Sequence, residues 1–306
     1  MMQPVQPAQP VRPLSHPPQR AALDQNSAAA ISAACASSAS HVAIEIVEQT
    51  GSTNADLLAR IDTLAGPTLR IAHQQTAGRG RAGRSWLSEP GAALMFSLAW
   101  RFKGPLHRMS GLPMAVGVAL AETLGSLGVP VQIKWPNDLL RDGAKLAGIL
   151  VESQTAKRDT DGAIWAVIGV GLNLLMPDQL ESRIGRSVAA APWLAQMPRE
   201  QLVAALLSRL AAVLAEFDDT GFAPFCERWN ALHAWHGREV VILDQDQIVQ
   251  QGRAAGVDAI GRLLLDTAAG RVEVLSGDVS LRLKPESAGA ATPLHQPAGL
   301  TPNYTD

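Results

Sequence analysis

The 306-residue chain is short of several things that would each mark a common functional class. It has two cysteines, Cys35 and Cys226, too few for a disulfide framework or a multi-thiolate metal site, so a reducing, cytoplasmic setting is expected. No stretch approaches the uninterrupted run of about 18 apolar residues that a membrane span needs, so no membrane partner is expected. Charge of one sign is missing too: 26 basic residues against 28 acidic ones leave a net charge of −2, which argues against a general nucleic-acid binder. Lysine is scarce, with only Lys103, Lys134, Lys145, Lys157 and Lys284 among the 26 basic residues. What is present is ordinary for a folded protein, 47% hydrophobic and 18% charged residues, in a chain long enough for two or more compact units.

Residues 1–41 are mostly Pro, Ala, Ser and Gln, with only Arg12, Arg20 and Asp24 charged. Prolines from Pro4 to Pro18 block regular structure, and the apolar side chains are small, so the segment reads as a disordered tail. A transit peptide is the competing reading, but the prolines break any amphipathic helix. Ordered sequence is expected from Val42. VAIEIV (42–47) alternates like a strand, and a helix over 54–64 follows, capped by Ser52 or Thr53. Strands are expected at 69–73, 93–100, 131–134, 145–153 and 163–175, with helices at 112–127, 199–217 and 222–232. After residue 235 the texture changes to five short strands separated by turn signals, the pattern of a small barrel. This gives four segments: a tail (1–41), a larger α/β domain (42–235), a small β domain (236–284) and a second unstructured tail (285–306).

Four constellations carry chemistry. In QTAGRGRAGRSW (75–86), glycines at 78, 80 and 83 interleave with Arg79, Arg81 and Arg84. Glycine allows close backbone approach and guanidinium groups grip phosphate or carboxylate, so this is a loop that orders over an anion, unless it is simply a solvated basic loop. It lacks the GKS/T of a Walker loop. In IKWPNDLLRDGAKLAGIL (133–150), Asp142-Gly143 is a favoured hairpin turn. That turn pairs Arg141 with Ala144, Leu140 with Lys145 and Asp138 with Ala147, placing Asp138 and Lys145 on one face. A cross-strand salt bridge explains the pair equally well, except that two of five lysines fall within twelve residues. In IGVGLN (168–173), Gly169, Gly171 and Asn173 share a strand face, marking close approach of either a ligand or a packed backbone. GSTN (51–54) sits where a strand enters a helix, a place for a cap or for binding a carbonyl or carboxylate.

In this order and spacing, STN (52–54), GRGRAGRSW (78–86), KWPNDLL (134–140), KLAGIL (145–150) and GVGLNL (169–174) resemble the biotin–protein ligase family over roughly residues 43–284. The resemblance implies an α/β (α+β) catalytic domain with the mixed sheet of class II aminoacyl-tRNA synthetases, followed by an SH3-like β-barrel. It implies an enzyme that joins biotin to ATP as biotinyl-5′-AMP, with Mg²⁺ assisting, and passes biotin to a lysine of a biotin carboxyl carrier domain. Ligation of lipoate or another acyl acid on the related fold is the alternative. By the resemblance, Ser52, Thr53, Asn54, Gln75, Gly80, Gly148 and Gly171 meet biotin, and Arg79 and Arg81 close over both biotin and nucleotide. Lys145 meets the activated carboxyl and the phosphate, while Trp86, Lys134, Asn137, Asp138 and Asn173 line the nucleotide side. Lys145, Arg79, Arg81 and Asp138 form the implied catalytic set, with Asp138 the candidate metal ligand. Either Asp138 or the adenylate phosphate helps the acceptor lysine lose its proton. Some members carry an N-terminal winged helix-turn-helix; residues 1–41 are too short and proline-broken for one, so a monofunctional ligase without a repressor role or nucleic-acid partner is expected. The partners admitted are biotin, ATP, the carrier domain and a second copy of the chain.

Overall fold

The computed structural model describes residues 23–157, 159, 162–177, 187–277 and 279–284. Two sheets organise it. The larger has seven strands: β1 (Ala43–Thr50), β2 (Thr68–Gln75), β3 (Ala93–Phe102), β4 (Gln132–Lys134), β5 (Asp138–Arg141), β6 (Ala144–Gln154) and β7 (Ile164–Asn173), in the order β1-β2-β3-β7-β6-β5-β4. Only β1 and β2 run parallel, because helix α2 (Thr53–Ala59) lies in the crossover between them. Every other pair is antiparallel, which makes the sheet mixed, as expected.

Side-chain alternation gives this sheet two distinct faces. Leu94, Phe96, Leu98, Ala166, Ile168, Val170 and Leu172 enter the main core with α3 (Leu112–Ser126) and α4 (Arg199–Thr220). The neighbours in between, Met95, Ser97, Gly169, Gly171, Gly148 and Leu150, point to the opposite face, and all of these but Met95 line a cleft there. Both faces are covered, so β3 and β7 read as nearly continuous apolar runs rather than alternating ones.

The expected tail is corrected in part. Residues 25–34 form helix α1 (Gln25–Ala34), closed by a capping box: Ser27 N–H donates to Asp24 Oδ1 at 2.9 Å and Asp24 N–H to Ser27 Oγ at 3.2 Å. Its Ile31 is fully buried, and the segment after it is pinned to α4 by Ala36 N–H to Ser208 Oγ (2.9 Å) and Ser38 Oγ–H to the Ser208 carbonyl (3.0 Å). Small side chains that seemed too weak to order a segment instead let two helices approach closely, and alanine has the best helix propensity. Residues 1–22 and 285–306, the rest of the two expected tails, lie outside the described residues.

The helix expected over 54–64 stops at Ala59, and a 3₁₀ turn (Ile61–Thr63) completes it. The one expected over 222–232 is a 3₁₀ turn followed by a short helix α5 (Cys226–Ala231). The smaller sheet is antiparallel, with β8 (Glu239–Asp244), β9 (Gln247–Val257), β10 (Leu263–Thr267), β11 (Gly270–Val274) and β12 (Ser280–Leu283) in the order β11-β10-β9-β8-β12. Its buried Val240, Ile242, Ala254, Leu263 and Leu281 join the main core, so the two sheets share one apolar interior. Among the described residues no helix is long and apolar enough to cross a membrane.

Candidate active site

The first wall of the cleft is built where β1 enters α2. Ser52 has extended backbone and caps the helix, its Oγ accepting from Ala55 N–H at 3.5 Å. Thr53 and Asn54 therefore occupy the first turn, almost wholly buried. The parallel register sets Thr50 beside Gln75, and Gln75 Oε1 accepts from Thr53 N–H at 2.8 Å. Asp56 fixes the helix against the sheet by accepting from Thr50 Oγ1–H (2.6 Å) and Arg70 Nε–H (2.7 Å). Asn54 turns toward the strands: its Oδ1 accepts from Ser97 Oγ–H at 2.5 Å, and its Nδ2 donates to Glu152 Oε2 at 2.9 Å and to the Leu150 carbonyl at 3.4 Å. A Cβ on Gly169 would stand 2.4 Å from Asn54 Oδ1, so this glycine of the GVG strip exists to admit the Asn54 side chain. Asn54 lines the cleft, as expected, but its polar atoms are engaged by the protein, so it serves as support rather than as a direct hydrogen-bonding contact.

The second wall is the glycine–arginine loop, which forms a small hairpin. Trp86 N–H donates to the Gly78 carbonyl (2.9 Å) and Gly80 N–H to the Arg84 carbonyl (2.6 Å), with Arg79 and Ser85 bridged. Positive φ at Ala82 (52°) and Gly83 (69°) makes the tip. Gly78 is needed for the closure, because a Cβ there would lie 2.5 Å from the Trp86 carbonyl. The three arginines reach three different elements. Arg79 pairs with Glu152 of β6 at 2.6 Å; Arg81 donates to Asn137 Oδ1 at 3.2 Å and to the Gly277 carbonyl; Arg84 donates to Ser280 Oγ at 2.9 Å. The loop thus ties the large sheet, the KWPND turn and the small sheet together. Its Trp86 indole rests on the glycine strip, and a Cβ on Gly171 would stand 2.4 Å from the ring.

The third wall is the KWPND hairpin. The Asp142-Gly143 turn forms as expected, with φ of 51° and 79°, and Arg141 pairs with Ala144 and Leu140 with Lys145. A bulge after Leu140 then shifts the register, so Asp138 stands opposite Gly148 and not Ala147. The expected contact is nonetheless made: Lys145 Nζ lies 2.5 Å from Asp138 Oδ1, and Lys134 Nζ lies 3.8 Å from Oδ2. All three side chains are largely buried, with 12–17% of each exposed. Asn137 clasps β6 through Nδ2 to the Ile149 carbonyl (2.6 Å). Trp135 reaches the small sheet, donating Nε1–H to the Gly261 carbonyl at 3.2 Å.

Asp138 between two ammonium groups is a counter-ion, not an available metal ligand. Among the described residues no three His, Cys, Asp or Glu side chains gather as a metal site would require. The residues therefore do not fit a protein-built metal centre. Basic groups dominate instead: Arg79, Arg81, Arg84, Lys134, Lys145 and Arg282 line the cleft against the Asp138 carboxylate.

The residues expected at the site all line this cleft except Asn173. Asn173 is buried beneath it, donating Nδ2–H to the carbonyls of Lys145 (3.4 Å) and Ala189 (3.2 Å), so it holds the backbone at Lys145. Residues missed were Ser97, Glu152 and the Val279–Arg282 segment. Ser97 is a lone hydroxyl in an apolar strand, which was a readable signal; the partners of Glu152 and the small sheet's approach are tertiary facts. Cys35 and Cys226 lie outside the cleft lining, and burial raises both thiols above their ordinary value, as bystanders should behave.

Behind Lys134 the chain that leads to the small sheet runs beside β4, with Ile133 N–H on the Leu232 carbonyl (2.7 Å) and Ala234 N–H on the Ile133 carbonyl (3.0 Å). His233 is buried here against Trp229, its ring nitrogens without hydrogen-bond partners among the described residues. Burial, with the neighbouring His236, lowers its pKa to about 4. The unfolded ring titrates near 6.5, so between these values the unfolded chain binds more protons and stability falls as pH falls. The expected loss at pH ~4.5 is about 2–3 kcal/mol. Denaturant melts of wild type and His233→Phe between pH 7 and 4.5 check it: the variant should lose less stability by about that difference, and parallel curves would refute it.

A model of the biotin/lipoate A/B protein ligase family matches residues 46–173, and one of the biotin protein ligase C-terminal domain matches residues 236–282. The chain is 38% identical over 238 residues to the bifunctional ligase/repressor BirA of Escherichia coli, covering 76% of this chain and 71% of that protein. It is 35% identical over 249 residues to the biotin–[acetyl-CoA-carboxylase] ligase of Mycobacterium tuberculosis, covering 77% and 88% of the two chains. The biotin protein ligase of Aquifex aeolicus, solved in complex with biotin and ATP, superposes with a TM-score of 0.66 at 27% identity, over 79% of this chain and 99% of that one. With the sheet, the cleft and both matched regions in agreement, the chain belongs to the biotin protein ligase branch of the biotin/lipoate protein ligase family.

Proposed function

We propose that this protein activates biotin with ATP as biotinyl-5′-AMP and transfers the biotinyl group to a lysine of a biotin carboxyl carrier domain. The observation that carries the reading is one cleft with two chemically different ends, joined across Lys145. At the α2 end, Thr53, Gln75 and Ser97 offer closely spaced hydrogen-bonding groups in a dry setting, suited to a small neutral polar ring. At the other end, arginines and lysines gather, suited to a carboxylate meeting a triphosphate.

In the first step a carboxylate oxygen of biotin attacks the α-phosphorus, the bond to pyrophosphate breaks, and a mixed anhydride forms. Two anions approach each other, so fixed cations supply the electrostatic stabilisation, with Lys134 and Lys145 both largely buried. Magnesium belongs to this proposal as the counter-ion that the nucleotide brings, held chiefly by phosphate and water. In the second step the acceptor amine attacks the acyl carbon, the acyl–oxygen bond to phosphate breaks, and AMP leaves with the proton that the new amide sheds passing to its phosphate. No protein nucleophile is required, which suits a cleft without cysteine. The loop keeps water from the anhydride in the interval.

The test is incubation with ATP, Mg²⁺, biotin and a purified biotin carboxyl carrier domain, followed by mass spectrometry. One biotinyl increment on the acceptor lysine is expected; its absence with folded protein overturns the reading. Lipoate ligation has no support among the relatives named above, and lipoate is expected not to compete.

The loop anchors make a graded prediction. Arg79 is half exposed, and an exposed ion pair contributes about 0–1 kcal/mol, so Arg79→Ala should speed loss of the adenylate to solvent only about two- to fivefold. Arg81 binds both the KWPND turn and the small sheet, so Arg81→Ala should leak faster than Arg79→Ala. Release of labelled adenylate after rapid gel filtration checks the order, and equal rates would refute it.

A further inference from the structure

We propose that Glu152, Asn54 and Ser97 form a one-way hydrogen-bond relay that fixes Thr53 as an acceptor toward the ligand, and so makes the pocket select a ring N–H. The inference rests on the biotin reading above and deepens it.

The direction follows from which groups lack protons. The Glu152 carboxylate and the Leu150 carbonyl can only accept, so the Asn54 atom facing them at 2.9 and 3.4 Å is its amide nitrogen. The opposite Asn54 atom is then its carbonyl oxygen, which cannot donate. Ser97 lies 2.5 Å from that oxygen and must give it the hydroxyl proton. Ser97 Oγ has then no proton left for Thr53, so at 2.6 Å Thr53 Oγ1 is the donor to Ser97. Thr53 has one hydroxyl proton and it is now spent.

Gln75 supplies the other half. Its Oε1 accepts the Thr53 backbone N–H at 2.8 Å, so it too is an acceptor at this point. Thr53 Oγ1 also lies within donating distance of Gln75 Oε1, at 3.1 Å, but its one proton goes to Ser97 across the shorter 2.6 Å contact, so toward the ligand the two oxygens stand as acceptors. An N–H donor from a bound ligand, placed between them, satisfies both. A ring oxygen in the same place adds a third set of lone pairs in a buried site, where an unpaired polar group is expensive. The ureido ring of biotin has the N–H this arrangement requires.

Glu152, Asn54 and Ser97 are thus positioning residues: the first orients the second, and the second orients the third. Gly169 is the enabling glycine, since any side chain there would displace the Asn54 oxygen. Glu152 also holds Arg79, but that contact bears on every ligand alike.

The test is equilibrium binding of biotin and of the two cyclic carbamate isomers in which a ring oxygen replaces one ureido N–H. For the wild-type protein, one isomer should bind at least about 30-fold more weakly than biotin. In Ser97→Ala the Thr53 hydroxyl is free to rotate and donate, so rejection of that isomer should fall below about fivefold, even as biotin itself weakens. Glu152→Leu leaves only the Leu150 carbonyl at 3.4 Å to hold the Asn54 amide, so it should relax selectivity part of the way, and Glu152→Gln should retain it, because the amide oxygen accepts the same bond from Asn54. A biotin-to-carbamate ratio unchanged in Ser97→Ala, or equal in the two Glu152 variants, overturns the relay, since purely structural damage lowers both affinities together. If wild-type protein fails to bind biotin at all, the biotin reading itself falls. The Glu152 pair keeps the test decisive if Ser97→Ala does not fold.

Discussion

Lys145→Ala is expected to lower the rate of biotinyl-adenylate formation by about 10²–10³-fold while leaving a folded protein. The size follows from the position of the ammonium group. Lys145 Nζ lies in a largely buried pair with Asp138, where water screens poorly, so a charge fixed there acts on developing anionic charge without reorganising first. The fold should survive because Asp138 is not orphaned: Lys134 remains 3.8 Å from its second oxygen. The melting temperature should therefore drop by a few degrees and not collapse. Lys145→Arg should recover less than about tenfold of the loss, because a planar guanidinium does not replace a compact ammonium. The space is also tight, with Nζ lying 2.9 Å from where a Cβ on Gly148 would be. Pyrophosphate release in the absence of acceptor measures the step directly. An alanine variant that retains a tenth or more of wild-type activity would remove Lys145 from the role assigned to it.

The same lysine shows how much was legible in the sequence. The Asp-Gly turn is a local signal with a physical cause, and from it the Asp138–Lys145 contact followed without any tertiary information. The bulge that shifts Asp138 by one residue was not legible, because bulges answer to packing against neighbouring strands. Gly169 and Gly171 were readable as a strip that something approaches closely, but not as two different seats, one for Asn54 and one for Trp86. The arginine loop was visible in composition; its three destinations were not, since Glu152, Asn137 and Gly277 are distant in sequence. Asn173 misled for a related reason. Alternation set it on the face of the glycine strip, yet the strand ends there and its amide turns to the backbone of Lys145 and Ala189. Helix α1 was lost because an alanine-rich segment carries almost no periodic signal, and only its Asp24 and Ser27 cap marked it.

Gly171→Val is expected to raise the KM for biotin by at least about 100-fold, through crowding and not through any lost polar group. A Cβ at this position would stand 2.4 Å from Cε2 and Cζ2 of Trp86, well inside van der Waals contact, so the indole must leave the strip. Trp86 is the last residue of the hairpin, its N–H on the Gly78 carbonyl, so moving it moves the loop that Arg79, Arg81 and Arg84 hold closed. Gly171→Ala should show the same effect at about a tenth of the size, the smaller side chain asking for a smaller shift. A merely damaged strand predicts something different. Gly171 lies inside β7, paired with Met95 and Gly148, and its backbone is extended, so valine there should cost little stability and suits the strand. The double variant Trp86→Ala, Gly171→Val separates the two accounts. If the clash with the indole is the cause, Gly171→Val should add less than about threefold in the Trp86→Ala background, a strong departure from additivity. If it instead adds its full effect there, the valine acts on the ligand pocket itself, and Trp86 is not the part that the glycine makes room for.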